Sequence, residues 1–271
     1  MKKLFRTICI CLILISCEDV IEVNVNSVAP RLVIDASIHW LKGTSGNKQS
    51  IKLSLTAPYF DETIPPATGA NVSISDSNSN TFVFTEDGSS GIYNNENFLP
   101  VIGGTYTLNI MYDSETYIAT EVMTPVVPID SVEQVNDGGF SGEEIEIKAF
   151  YTDPQNIKNF YLFEFLVLDN DTATLEVYED KFTDGNQIFA FYSDEDLESG
   201  NQLLIRNSGI SERTYEYLNI ILQQTDEDSG DPFETQPATV RGNCVNQTNS
   251  NNFPLGYFRV SETDVFTYTV E

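Results

Sequence analysis

The stretch Arg31-Leu32-Val33-Ile34-Asp35-Ala36-Ser37-Ile38 decides the fold, because Leu32, Ile34, Ala36 and Ile38 alternate with Arg31, Val33, Asp35 and Ser37. A period of two sends successive side chains to opposite faces of a strand, leaving one face apolar and the other mixed. The pattern recurs downstream. Ile51, Leu53 and Leu55 alternate with Lys52, Ser54 and Thr56, and Val72 and Ile74 with Ser73 and Ser75. Further runs occupy Thr81 to Thr85, Thr105 to Tyr112 and Thr116 to Val122, separated by Asp87-Gly88, Gly103-Gly104 and Asp113-Ser114. Such dipeptides suit tight turns. About seven short strands at this spacing predict an immunoglobulin-like β-sandwich over residues 31–124. Its core is expected where Tyr106, Leu108 and Ile110 meet Leu32, Ile34 and Val72.

Pro125-Val126-Val127-Pro128 stiffens the chain into an extended linker, and the domain boundary is expected there. The second unit, residues 125–271, opens on Ile129-Asp130-Ser131-Val132 and a turn at Gly138-Gly139. Strands are expected over Glu143 to Tyr151 and Asn159 to Asp169, joined through Asp153-Pro154. The nearly continuous apolar run from Phe160 to Val167 predicts a strand covered on both faces. One helix is expected over residues 211–224, with Ser211 as cap, Glu212 at the positive end of the dipole, and Tyr215, Leu218 and Leu222 on one stripe. Residues 225–237 form an acidic loop, and the chain ends on strands at Leu255 to Val260 and Val265 to Val270. The expected class is all-β, a sandwich followed by a β-rich domain with one helix.

Upstream of this body the chain begins Met1-Lys2-Lys3, runs apolar from Leu4 to Ile15 except at Arg6 and Thr7, and reaches Ser16-Cys17 before turning acidic at Glu18-Asp19. A basic start, a short apolar core and a small residue before a cysteine predict a secretory signal over residues 1–16. The core falls short of the roughly 20 residues that span a bilayer. Leu14-Ile15-Ser16-Cys17 matches a lipobox, in which Cys17 accepts diacylglycerol through its sulfur. The other reading, an ordinary signal with Cys17 as a bystander, lacks a nearby small-x-small site. Acyl chains hold by about 0.8 kcal/mol per buried methylene. Residues 17–30 then read as a lipidated tether.

Cleavage would delete Lys2, Lys3 and Arg6 and take the formal charge from −27 to −30. Such a field repels phosphate backbones and anionic headgroups, so nucleic acid is excluded as an expected partner and lipid on Cys17 is the expected membrane contact. With 41% hydrophobic and 11% aromatic residues the chain has ample material for a core. Of four cysteines, Cys9 and Cys11 leave with the signal and Cys17 is lipidated, so Cys244 stands alone and is expected as a small buried residue.

Cys17-Glu18-Asp19-Val20-Ile21, Arg31-Leu32-Val33-Ile34, Thr56-Ala57-Pro58-Tyr59-Phe60, Gly69-Ala70-Asn71-Val72, Gly91-Ile92-Tyr93 and Gly104-Thr105-Tyr106-Thr107-Leu108 follow one another in order. Asp153-Pro154, Asn159-Phe160-Tyr161, Gly242-Asn243 and Leu255-Gly256-Tyr257-Phe258 continue the series. Together they resemble the Bacteroidota lipoprotein family called domain of unknown function 4249, over nearly the whole mature chain. The resemblance implies an outer-membrane lipoprotein, often encoded beside TonB-dependent receptors, and supplies no catalytic residues. Glu18-Asp19 after the cysteine resembles the acidic tag of surface-exposed lipoproteins in that phylum; an acidic linker is the other reading.

Little else carries chemistry. His39 is the sole imidazole, which leaves Ser-His-Asp and Cys-His catalysis without support. His39 and Cys244 lie too far apart in sequence to sign a zinc site, and Asp226 to Asp231 lacks the spacing of a calcium loop. No metal, cofactor or catalytic residue is therefore expected. Trp40, Tyr59 and Phe60 are the candidate ligand or partner contacts, as loop aromatics able to stack on a sugar or peptide; a packed strand-end tryptophan is the competing reading of Trp40. The leading expectation is a non-enzymatic accessory or docking component of a TonB-dependent uptake system. The alternative is a free-standing glycan- or peptide-binding module, and third comes a hydrolase built on two carboxylates.

Overall fold

The computed structural model describes residues 29–58, 61, 63–139, 142–168, 170, 172–225 and 240–271. The signal, Cys17, nearly all of the tether, Tyr59, Phe60 and most of the acidic loop lie outside the described residues.

The first half forms β1 (Leu32–Leu41), β2 (Gln49–Leu55), β3 (Asn71–Asp76), β4 (Thr81–Glu86), β5 (Ile92–Asn95), β6 (Thr105–Tyr112) and β7 (Glu115–Val122). The second half forms β8 (Ser131–Gly138), β9 (Glu144–Thr152), β10 (Phe160–Val167), β11 (Thr174–Glu179), β12 (Gln187–Ser193) and β13 (Gln202–Gly209). Helix α1 (Glu212–Thr225), the short β14 (Val245–Asn246) and the long β15 (Leu255–Thr269) follow. The protein is mainly β. Its first lobe is an immunoglobulin-like sandwich in which β15, β1, β2 and β5 face β3, β6, β7 and β14, with β4 pairing to both β3 and β5.

The alternation that starts at Leu32 holds through β1: Leu32, Ile34, Ala36 and Ile38 are buried in one cluster with Leu53, Val72, Tyr106, Leu108 and Ile110. The expected core is therefore the observed one. In the second lobe β11-β10-β13-β15 packs on a three-stranded sheet, β12-β9-β8. Tyr161, Phe163 and Phe165 of β10 meet Ile147, Tyr151 and Tyr192 there. The opposite face of β10, Phe160 and Leu162, is covered by Tyr215 and Leu218 of α1. This is why the Phe160–Val167 run loses its alternation. The helix starts where expected, with Ser211 Oγ accepting the Thr214 N–H at 3.2 Å.

The expected boundary needs correction. Residues 125–128 do separate the two cores, but the second half does not keep its C-terminal segment. Residues 255–263 of β15 pair in parallel with β1, and Phe258, Val260 and Cys244 lie in the first core. Beyond Thr263 the same strand pairs with β13 in the second lobe. One 15-residue strand thus serves both lobes.

The linker is likewise strapped down. Thr124 N–H donates to Val260 O at 3.3 Å and Glu262 N–H to Thr124 O at 2.9 Å. Glu262 and Asp264 accept the N–H groups of Val126 and Ile129 at 2.9 and 2.8 Å, and Asn207 Nδ2 donates to Val127 O at 3.1 Å. Polar residues that interrupt the apolar pattern of β15 therefore satisfy the backbone of the crossing chain.

Close backbone approach explains two of the glycines. Gly256 has φ +87°, and a Cβ there would collide with Ile34 O of the neighbouring strand. A Cβ at Gly242 would collide with Gly256 O in turn. Beside it, Asn243 imitates a strand: its Oδ1 accepts the Phe258 N–H at 2.9 Å and its Nδ2 donates to Phe258 O at 2.7 Å. Among the described residues, no helix is long and apolar enough to cross a membrane.

Candidate functional site

Strand periodicity places Asp35, Ser37 and His39 on the face of β1 opposite its core, level with Arg259 and Ser261 of β15. Arg206 of β13 and Glu164 of β10 stand on the same face two strands further on, directly paired in register. The linker crosses the other side of this seam. The result is a buried polar network held from both lobes.

Arg259 is its centre. It is 8% exposed; its Nε donates to Ser37 Oγ at 3.1 Å and its Nη2 lies 3.3 Å from Glu164 Oε1 and 3.4 Å from His39 Nε2. Arginine can only donate, so His39 Nε2 is the acceptor and the imidazole proton sits on Nδ1, 3.3 Å from Thr263 Oγ1. Thr263 continues the chain to Ser208 at 2.9 Å. Burial, then the charges of Arg259 and Arg206, hold His39 well below its ordinary value, so it is a neutral acceptor at physiological pH. Gln49 fixes the ring from the backbone side, accepting the His39 N–H at 3.1 Å and donating to its carbonyl at 2.8 Å.

Charge and hydrogen bonding at this seam are incompletely balanced. Glu164 faces two guanidiniums, Arg259 at 3.3 Å and Arg206 at 3.7 Å. Among the described residues, Nη1 of Arg259, Oε2 of Glu164 and Oγ of Ser261 have no hydrogen-bond partner. A buried polar group left so costs about 1–3 kcal/mol. Above the network opens a cleft of about 610 Å³, lined by Ser37, His39, Lys48, Gln49, Lys52 and Arg206 among others.

A second polar cluster lies in the other lobe. Carboxylate oxygens of Asp153, Asp180 and Asp184 come within 4.8 Å of one another, with Asp153 and Asp180 buried. Most of their capacity is already used. Asp153 accepts Tyr161 Oη at 2.6 Å and the Gly185 N–H at 3.3 Å; Asp180 accepts the Asn159 N–H and Asp184 the Asn156 N–H, each at 2.7 Å. These bonds tie the β11–β12 loop to the β9–β10 loop. A hard cation would find oxygen donors here, but the hydrogen bonds describe a structural knot.

Of the aromatics expected as contacts, Trp40 is half-buried against the first core, and its indole N–H donates to Thr44 O at 2.9 Å. Packing and hydrogen bonding hold the ring as part of the sandwich end. Tyr59 and Phe60 lie outside the described residues. His39, set aside as a catalytic base, proves to be central to the network, and Arg206, Arg259 and Glu164 carried no sequence signal. Cys244 is buried and free, its thiol pushed up to about 12 by burial.

Fold and site together define a two-lobed β protein, an immunoglobulin-like sandwich fused through one strand to a second sandwich backed by a helix. The chain belongs to the family described as domain of unknown function DUF4249, whose model matches residues 18–267. No curated protein matches it. Solved structures with some likeness include a two fibronectin type-III domain segment from chicken tenascin, at 12% identity over 66% of this chain and 90% of that one, TM-score 0.22. Another is a DUF4785 family protein from Legionella pneumophila, at 11% identity over 66% of this chain and 52% of that one, TM-score 0.26.

Proposed function

We propose that this protein is a lipoprotein anchored in the outer membrane through Cys17, exposed at the cell surface, and a non-enzymatic docking component of a TonB-dependent uptake system. The observation that carries the membrane address is Leu14-Ile15-Ser16-Cys17 following a basic start and short apolar core, with Glu18-Asp19 immediately after. The family match beginning at residue 18 fits a body that starts beside the lipidated cysteine. A non-enzymatic role is supported by the state of the nucleophilic and basic groups: His39 is locked between Arg259 and Thr263, and Cys244 is buried as a thiol. The receptor itself enters through the family resemblance alone.

Native protein, tagged at the C-terminus and extracted from its own membrane in mild detergent, tests this. Expected are palmitate labelling lost in Cys17→Ala, outer-membrane fractionation, and a stoichiometric TonB-dependent receptor in the eluate. Labelled protein recovered alone would overturn docking, and unlabelled protein would overturn the anchor. A second reading, an extracellular binding module for small glycans or peptides, is favoured by the cleft over Arg206 and His39.

A further inference from the structure

We infer that the cleft at the seam of the two lobes is a binding site for the carboxylate group of a small organic solute. This rests on the binding-module reading and is independent of the membrane address. The chain carries 14 Lys and Arg against 41 Asp and Glu. Yet Lys48, Lys52 and Arg206 line this one cleft above the buried Arg259, with Asp35 the one carboxylate in the lining, Glu164 pairing Arg259 and Arg206 beneath it, and Glu96 pairing Lys48 at 3.2 Å. A protein so acidic has placed here a local excess of positive charge, which focuses anions where the rest of the surface repels them.

The geometry narrows the anion. Arg206, partly exposed, borders the cleft with a planar fork suited to a carboxylate, and it has only a long contact of 3.7 Å to Glu164. Beneath the cleft, Arg259 is fixed by Ser37, His39 and Glu164 and retains one nitrogen without a partner. His39, whose Nε2 accepts from that guanidinium at 3.4 Å, orients it and is therefore a positioning residue. The remaining lining combines Ser37, Gln49 and Ser50 with apolar Leu41, Leu204 and Val265. Hydroxyl, amide and aliphatic surfaces in about 610 Å³ suit a carbon body of one or two rings or residues, larger than an inorganic ion.

Two sources of the carboxylate, an acidic sugar and a peptide C-terminus, are separated by the probes. Full-length lipidated protein in detergent micelles is titrated calorimetrically with digalacturonate, triglycine, triglycine amide, a neutral digalactoside and inorganic phosphate. Binding of digalacturonate or of triglycine at millimolar concentration or better is expected, weakening at least tenfold in Arg206→Gln, severalfold in the rim variant Lys52→Gln, and with added salt. Lys181→Gln, remote from the cleft, serves as the unaffected control, and thermal melts confirm that each variant is folded. No binding of either carboxylate, unchanged affinity in Arg206→Gln, or phosphate binding as tightly as the carboxylates would each overturn the assignment. Binding of the neutral digalactoside or the amide, indifferent to Arg206→Gln, would overturn it while leaving a binding module standing.

Discussion

The two lobes pack similar mixtures of aliphatic and aromatic side chains but satisfy the buried hydroxyls differently. In the first, aliphatic side chains such as Ile34, Ile38, Ile51, Leu53 and Ile74 alternate with polar ones along the strands, and the rings of Phe82, Tyr93, Phe98 and Tyr106 pack among them. In the second, Tyr151, Tyr161, Phe163, Phe165 and Tyr192 fill the core, with ring centroids of neighbouring pairs about 5 to 6 Å apart. Two of its aromatic hydroxyls are met by carboxylates, Tyr161 by Asp153 and Tyr192 by Asp194, while that of Tyr151 has no hydrogen-bond partner among the described residues. In the first lobe the buried tyrosine hydroxyls are met mainly by backbone, Tyr93 donating to Ala67 O and Tyr106 to Leu99 O, both at 2.8 Å, whereas the second lobe recruits loop carboxylates. The lobes are then coupled by a single strand whose polar residues would look out of place in either core alone.

Disturbing that strand should have the widest effect, felt in both lobes. Gly256→Ala forces a side chain onto a left-handed backbone and into Ile34 O, and the strain and overpacking together should cost about 2–5 kcal/mol. Chemical denaturation should show both lobes weakened; loss confined to the first lobe would mean that β15 does not couple them. Next come the cores. Phe163→Ala should cost about 3–5 kcal/mol and Ile38→Val about 0.5–1.5 kcal/mol, read from urea midpoints at constant slope.

Removing a polar tie should matter less than removing the Phe163 ring. Asp153→Asn keeps the size but weakens the bonds to Tyr161 Oη and Gly185 N–H, for about 1–3 kcal/mol. Its partners lie in the second lobe, so hydrogen exchange should quicken in the loops around residues 153–159 and 180–186 and leave β1 to β7 unchanged. The smallest effect is the pH response of the seam. His39 has a folded pKa below the unfolded value near 6.5, so the unfolded state binds the extra proton. Its contribution is complete above about pH 6.5 and falls as pH drops below it. His39→Gln should flatten that part of the stability profile, and an unchanged slope would show that the imidazole is not held neutral.

What could be read from the sequence follows the same division. The first lobe was legible strand by strand, apart from β5 and β14, whose four and two residues are too few to show a period. In the second lobe β9, β10 and α1 stood out, but β11, β12 and β13 did not; in β13 Arg206, Asn207 and Ser208 interrupt the apolar pattern. They are polar because they face the linker and the network. β15 read as two strands, since Ser261, Glu262, Thr263 and Asp264 break its apolar pattern. Each has a task at the seam or strapping the linker, apart from Ser261, whose hydroxyl is unpartnered among the described residues. The candidate site escaped for that reason: its members are separated by up to 224 residues and meet only when β15 closes both sheets.

Equilibrium urea unfolding followed by both the Trp40 fluorescence of the first lobe and hydrogen exchange of β9, β10 and β12 in the second tests the coupling of the lobes most directly. Through the shared strand, both probes should report one transition with one midpoint. Two transitions, with the second lobe folded after Trp40 is exposed or the reverse, would contradict it and make the seam a contact between independent domains.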